Sequence, residues 1–237
     1  MTERSGGSGK TASFEQARGA KSRPGPRRRA AKRPYDSEAT RENILNAATR
    51  IFAERGLSGG RINLISRAAK SNDRMIYYYF GSKERLFIEV LEKVYRDMWE
   101  AENALALDQA DPVDALTRFV HFTLDHYLAH PEMLTILNNE NLHKGRYVRK
   151  SKKLKELSSP ALRLMERIYR RGVEQGVFRK GVEPLKLYLS VLALNYFYVS
   201  NIHTLSAFLD VDLTGNNLPA WRDWVVDVIL RSVGPGR

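Results

Sequence analysis

Arg61 to Phe80 reads RINLISRAAKSNDRMIYYYF. Ile65, Ala68 and Ala69 recur at i, i+3 and i+4, and so do Ile76, Tyr79 and Phe80. That spacing predicts two short helices, each with one apolar face, packed on each other across a tight turn. Asn72 stands between them, where its side-chain oxygen suits the N-cap of the second helix. Asp73, Arg74, Tyr77 and Tyr78 fall on the opposite side of that second helix, with Met75 on its border. A face so rich in hydrogen-bonding groups and rings is useless to a core and suits the major groove of duplex DNA. The plain alternative is the polar surface of an ordinary helix pair.

Composition sharpens the choice. The 237 residues carry a formal net charge of +12, which points to a polyanionic partner, nucleic acid before membrane surface. The chain has no cysteine, so disulfides and thiolate metal sites are excluded. No secretory signal pattern opens the chain, and the expected location is the cytoplasm. Leu187 to Leu209 lacks Asp, Glu, Lys and Arg and is long enough to span a bilayer. Ser190, Asn195, Ser200, Asn201, His203, Thr204 and Ser206 interrupt it, so a buried or interface helix is the better reading.

Residues 1–36 read as a disordered basic arm, with Arg18, Lys21, Arg23, Arg27, Arg28, Arg29, Lys32 and Arg33 in a run without an acid. Such an arm can follow phosphates or enter a minor groove, or it can be a solvated tail adding non-specific attraction. The fragment GSGKT at 7–11 imitates a phosphate-binding loop, but Arg4 occupies the required earlier glycine position.

The first helix is expected from Ser37 or Thr40 to Arg55, with Ile44, Ala47, Ala48, Ile51 and Phe52 on one stripe and Gly56 as its stop. Gly60 is an available N-cap for the second. Ser82 caps a long fourth helix lined by Leu86, Phe87, Val90, Leu91, Val94 and Met98. Glu89–Lys93 and Glu92–Arg96 are candidate i,i+4 pairs on its outer side. Run to Ala106, that helix would span roughly 36 Å. Beyond it Asp111-Pro112, His130-Pro131, Ser159-Pro160, Glu183-Pro184 and Pro219 each mark a helix start. Period-2 strands are missing from the pattern, so the expected class is all-α.

Residues 38–98 resemble the N-terminal DNA-binding domain of the TetR family of bacterial transcriptional regulators. The resemblance rests on AERG at 53–56, on the Ile65, Ser66, Arg67, Ala68, Ala69 segment, and most of all on YYYFGSKERLF at 77–87. His130-Pro131-Glu132 and Gly176-Val177-Phe178 are weaker landmarks. The resemblance implies a helix-turn-helix domain over 37–82 and a helical ligand-binding and dimerisation domain over 83–237. It implies a homodimer on a near-palindromic, double-stranded operator, acting as a repressor under control of a small-molecule effector. Carried over by position, Tyr77 and Lys83 contact phosphate, while Arg61, Asn63, Asp73, Arg74, Met75 and Tyr78 face bases or phosphates. The fourth helix would couple effector binding to the spacing of the two reading heads.

Three positions depart from the family pattern. Lys70 stands at a turn glycine, so it must accept a left-handed conformation or the turn must differ. Ser71 replaces an apolar turn residue. Asp73 replaces a basic or small residue and would be repelled by phosphates unless it accepts from a cytosine amino group.

Tyr127, Asn138, Asn141, Tyr188, Asn195, Tyr196 and His203 are polar groups on otherwise apolar helices and are the candidates for effector contact. For any one of them, structural hydrogen bonding is the commoner explanation. Trp221, Trp224, Val228 and Ile229 are candidates for a four-helix dimer interface, or for the subunit's own core. His126 and His130 lie at i and i+4 without a third ligand of clear spacing, and DVDLTG at 210–215 ends a calcium-loop pattern on Trp221 instead of Glu. No cofactor or metal is therefore expected. No catalytic constellation emerges, so an enzyme is not expected; the competing function is a non-specific architectural DNA-binding protein that works through the basic arm.

Overall fold

The computed structural model describes residues 34–235. The basic arm up to Arg33, with the GSGKT fragment, lies outside the described residues; positions 34–36, expected in the arm, instead belong to the first helix. Nine α-helices are present among the described residues, without a strand: α1 (Pro34–Gly59), α2 (Ile62–Ala68), α3 (Asp73–Phe80), α4 (Lys83–Asn103), α5 (Pro112–Ala129), α6 (Pro131–Leu142), α7 (Lys152–Glu174), α8 (Pro184–Leu209) and α9 (Asn217–Val233). The chain is all-α, as its periodicity predicts.

The helix starts follow the local chemistry. Asn72 Oδ1 accepts from the Met75 N–H at 3.2 Å, and Ser82 Oγ accepts from the Arg85 N–H at 3.1 Å. Asp111 Oδ1 takes both the Val113 and Asp114 N–H groups, ahead of Pro112 in the first turn of α5. Each such cap contributes about 1 kcal/mol. Gly56 stops the regular run of α1 with φ 62°, a backbone that favours glycine.

Several sequence expectations are corrected. Arg61, not Gly60, is the N-cap of α2. Glycine at 60 serves packing instead: a Cβ there would lie 2.4 Å from the Phe52 ring. Helix α4 ends at Asn103, because Ala106 turns left-handed with φ 50°. The i,i+4 pairs expected on α4 give way to longer-range partners. Glu89 pairs with Arg41 of α1, and Glu92 accepts from Ser151 Oγ at 2.6 Å, with Lys153 nearby. Pro160 lies inside α7, because Ser151 Oγ accepts from the Leu154 N–H and starts that helix earlier.

Lys70 does adopt the left-handed conformation, with φ 50°. The turn closes behind it through Ser71 N–H donating to the Ser66 carbonyl at 2.8 Å. A side chain with a Cβ pays about 1 kcal/mol for that backbone, so Lys70→Gly is expected to stabilise the fold by about 0.5–1 kcal/mol. Urea denaturation checks this; a lowered midpoint would show that the turn carries no strain.

Two apolar cores result. The first joins α1 to α4 and reaches into the second half of the chain: Ile44, Phe52, Ile65, Ile76 and Phe87 cluster with Met133, Leu134 and Ile136 of α6 and with Tyr147. The second holds α5, α7, α8 and α9 together through Phe119, Met165, Ile168, Val191, Val225 and Ile229. Helix α6 thus packs along α1, so the N-terminal head is anchored to the bundle by more than α4. Asn139 fixes the seam, accepting the Leu57 N–H at 3.2 Å just past the Gly56 break. In α8, as throughout the described residues, no helix is long and apolar enough to cross a membrane.

Candidate nucleic-acid interface and effector cavity

Helix α3 is held by one face and offers the other. Ile76 and Phe80 are buried, and Tyr79 is half-buried with its hydroxyl 3.4 Å from Ser37 Oγ. The Arg41 guanidinium lies over the Phe80 ring at 5.0 Å, which closes the inner side. Arg74 is exposed, Tyr77 is 52% exposed and Tyr78 77%. Burying two tyrosine rings would normally contribute a few kcal/mol. Leaving them in water is a cost that a groove of DNA would offset. Met75 is half-buried at the border, and Arg61 and Asn63 are exposed at the start of α2.

Lys83 and Asp73 have partners within the protein. Lys83 Nζ donates to the Ser58 carbonyl at 3.3 Å, and burial, then the nearby Arg61 charge, lower its pKa. This brings Lys83 and Arg61, distant in sequence, to one side of α2. Asp73 accepts from Ser66 Oγ at 2.5 Å and sits in the first turn of α3, where the helix dipole favours an acid. That bond ties α3 to α2 and accounts for an acid on a face that otherwise suits phosphate.

Deeper in the chain, a cavity of about 190 Å³ lies between α4, α5, α6, α7 and α8. Its walls are chiefly aromatic and apolar: Tyr95 and Trp99 of α4, Tyr127 of α5, Met133 and Leu137 of α6, and Tyr188 of α8. Glu102 of α4 also lines it, only 3% exposed, and burial alone pushes its carboxyl up to about 7. Burial first, then neighbouring groups including Glu102, raises Tyr127 and pushes Tyr188 up to about 12. A second, more polar hollow of about 440 Å³ shares Trp99 and Glu102 as its wall and adds Asp108, Arg163 and Arg167.

Of the seven candidate effector contacts, the fold brings Tyr127 and Tyr188 to this cavity. Tyr196 stands behind it, its ring edge-on to Tyr127 at 6.0 Å and its hydroxyl donating to Asn138. Asn195 is fully buried and donates to the Val120 carbonyl at 3.3 Å, while Asn141 and His203 are exposed away from the cavity walls. Sequence reasoning missed Tyr95, Trp99 and Glu102. The signal was present: Val94, Met98 and Glu102 continue one stripe at i, i+4 and i+8, so an acid extends an apolar face.

The C-terminal aromatics divide by face. Ile229 is in the subunit's own core, and Trp221 stacks on Tyr198 at 4.6 Å. Val228 is half-buried and Trp224 is 57% exposed, and Leu189, Phe197 and Phe208 of α8 are exposed large apolar groups as well. The His126 and His130 rings lie 4.4 Å apart, tilted at 39°, and burial, then His130, pushes His126 down to about 4. Asp212 accepts from the Thr214 and Gly215 N–H groups, which explains the DVDLTG segment as a self-capped turn.

An outward-facing helix in a helix-turn-helix head, joined to a helical body with an internal cavity, defines a class of DNA-binding regulator. Comparison with known proteins agrees. Residues 44–90 match the family described as bacterial regulatory proteins, tetR family, and residues 112–229 match the tetracyclin repressor-like C-terminal domain. The chain is 48% identical over 202 residues to the HTH-type transcriptional repressor NicS of Pseudomonas putida, spanning 85% of this chain and 95% of that protein. It is 37% identical over 110 residues to the HTH-type transcriptional repressor SCO4008 of Streptomyces coelicolor, 46% of this chain and 54% of the relative. The fold is similar to that of the regulator FadR from Bacillus subtilis, solved with stearoyl-CoA, at TM-score 0.65 and 18% identity over 81% of this chain and 99% of that one. It is also similar to the hemolysin II transcriptional regulator HlyIIR, at TM-score 0.52 and 25% identity over 84% and 99% of the two chains. The chain belongs to the TetR family of transcriptional regulators.

Proposed function

We propose that this chain is an effector-responsive repressor that works as a homodimer on a near-palindromic DNA operator in the cytoplasm. The single observation that carries the reading is α3, pinned inward by Ile76 and Phe80 and presenting Arg74, Tyr77 and Tyr78 to solvent. The similarity to NicS, named a repressor, supports the direction of regulation. The uncovered apolar side chains of α8 and Trp224 support pairing of two copies, which would set two α3 helices about one DNA turn apart. The aromatic cavity supports an effector, and α4, which runs from the α3 junction to that cavity, supports coupling between them.

Selection of bound sites from random DNA, repeated with candidate metabolites, tests the proposal. A two-fold-related consensus, preferred about a thousandfold or more over random DNA, is the expected result. An architectural protein would instead show no preference and a steep salt dependence. Turnover of a bound ligand with DNA binding unaffected would favour an enzyme.

Two substitutions follow. Tyr77→Phe removes a hydroxyl proposed to meet phosphate, and should weaken operator and random DNA alike by roughly fivefold, about 1 kcal/mol. Arg74→Ala should relax preference at particular base pairs by about 1–3 kcal/mol, read by competition with single-base operator variants. Uniform weakening by Arg74→Ala would make it a phosphate contact instead.

A further inference from the structure

The cavity behind α4 contains a contradiction that a ligand would resolve. Glu102 is buried against aromatic rings, yet among the described residues no hydrogen-bond donor or cation engages its carboxyl. A buried carboxylate left alone is among the costlier features a fold can keep. Here it stands at the boundary of two hollows, where it faces one lined by Tyr95, Trp99, Tyr127 and Tyr188. Among the described residues lining that inner hollow, none is Lys, Arg or His. Arg163 and Arg167 line the outer hollow, where Arg167 is already held by both oxygens of Asp108, at 2.8 and 3.0 Å.

We propose that the effector is a small organic amine, bound as its cation, with the charged nitrogen on Glu102 and its apolar body among the tyrosine and tryptophan rings. The proposal deepens, and rests on, the effector-responsive reading given above. Three features select this chemistry. A carboxylate attracts a cation and repels an anion, and an inner hollow without a basic side chain offers an anion nothing in return. Aromatic faces carry partial negative charge and bind ammonium groups, most strongly where water is excluded. The volume, about 190 Å³, is below the ~300–1,000 Å³ usual for drug-sized ligands and fits a body of about one ring. A fatty acyl chain would leave Glu102 facing hydrocarbon.

The test uses the full chain and three probes of one shape: 2-phenylethylamine as cation, 2-phenylethanol as uncharged analogue and 3-phenylpropanoate as anion. Binding is read by calorimetry and by the change in tryptophan fluorescence, to which Trp99 in the cavity wall contributes. Operator binding is read separately, by polarisation on labelled DNA recovered from the selection above. The amine is expected to bind at least tenfold more tightly than either analogue. Glu102→Asp should keep that preference and Glu102→Gln should abolish it, with circular dichroism confirming that both variants are folded. Equal binding of the three probes, tighter binding of the anion, or an undiminished preference in Glu102→Gln overturns the proposal. Amine binding that leaves operator affinity unchanged upholds the cation site but removes the effector-responsive reading. Operator binding without any amine binding removes the cation site and leaves the regulator reading intact.

Discussion

Glu102→Gln is expected to raise the unfolding free energy by about 3 kcal/mol at pH 8 and by almost nothing at pH 4. Burial pushes the folded carboxyl from 4.5 up to about 7, and each pH unit of displacement corresponds to about 1.4 kcal/mol. The sign follows from proton counting. Between about 4.5 and 7 the folded chain keeps a proton that the unfolded chain has released, so stability falls as pH rises through that window and then levels off. Glutamine has no proton to lose and is spared the fall. His126, whose folded pKa is down at about 4, acts in the opposite sense, losing stability as pH drops below 6.5. The difference between wild type and variant cancels that contribution, so urea denaturation of the pair at the two pH values isolates Glu102. An equal change at both would show that its carboxyl does not titrate in this window. A large gain at pH 8 would also show that the natural chain retains a destabilising group inside a cavity, as binding sites commonly do.

Phe52→Ala is the other large effect, expected at about 4 kcal/mol. Phe52 is fully buried and meets Phe87 edge-on at 5.3 Å, so its removal empties the junction of α1 and α4. The same ring abuts Gly60, which sets the approach to α2. The head should therefore lose its order along with the stability, and operator binding should fall with the folded fraction. A urea midpoint close to wild type would mean that neighbouring side chains collapse into the space. Phe52→Leu, which keeps most of the volume, should cost less than half as much.

How far the chain could be read in advance depended on the range of the interaction. Asn72, Ser82 and Asp111 act on backbone groups two or three residues away, so their caps were legible from spacing alone. The inward and outward faces of α3 were legible too, because helical periodicity decides them. Lys70 showed as an anomaly in the sequence, and the turn resolved it in the direction of a left-handed lysine. Gly60 was misread because its neighbour is a ring from α1, and Pro160 because Ser151 captured the start of α7 first. Asp73 looked like a misplaced charge until Ser66 came within 2.5 Å of it.

The cavity shows the same division more sharply. Tyr127 and Tyr188 could be picked as polar groups on oily helices, but so could Asn195, which spends its amide on the Val120 carbonyl. Glu102 went unnoticed, because nothing close to it in sequence shows that residues of four other helices close around it. By itself the sequence determined most of the helices, the caps at Asn72, Ser82 and Asp111, the outward face of α3 and the family, because each depends on residues within a few positions of one another. Only the tertiary structure decided that α6 locks to α1 through Asn139 and that a lone carboxyl faces four aromatic rings, because burial is a property of helices meeting across the chain.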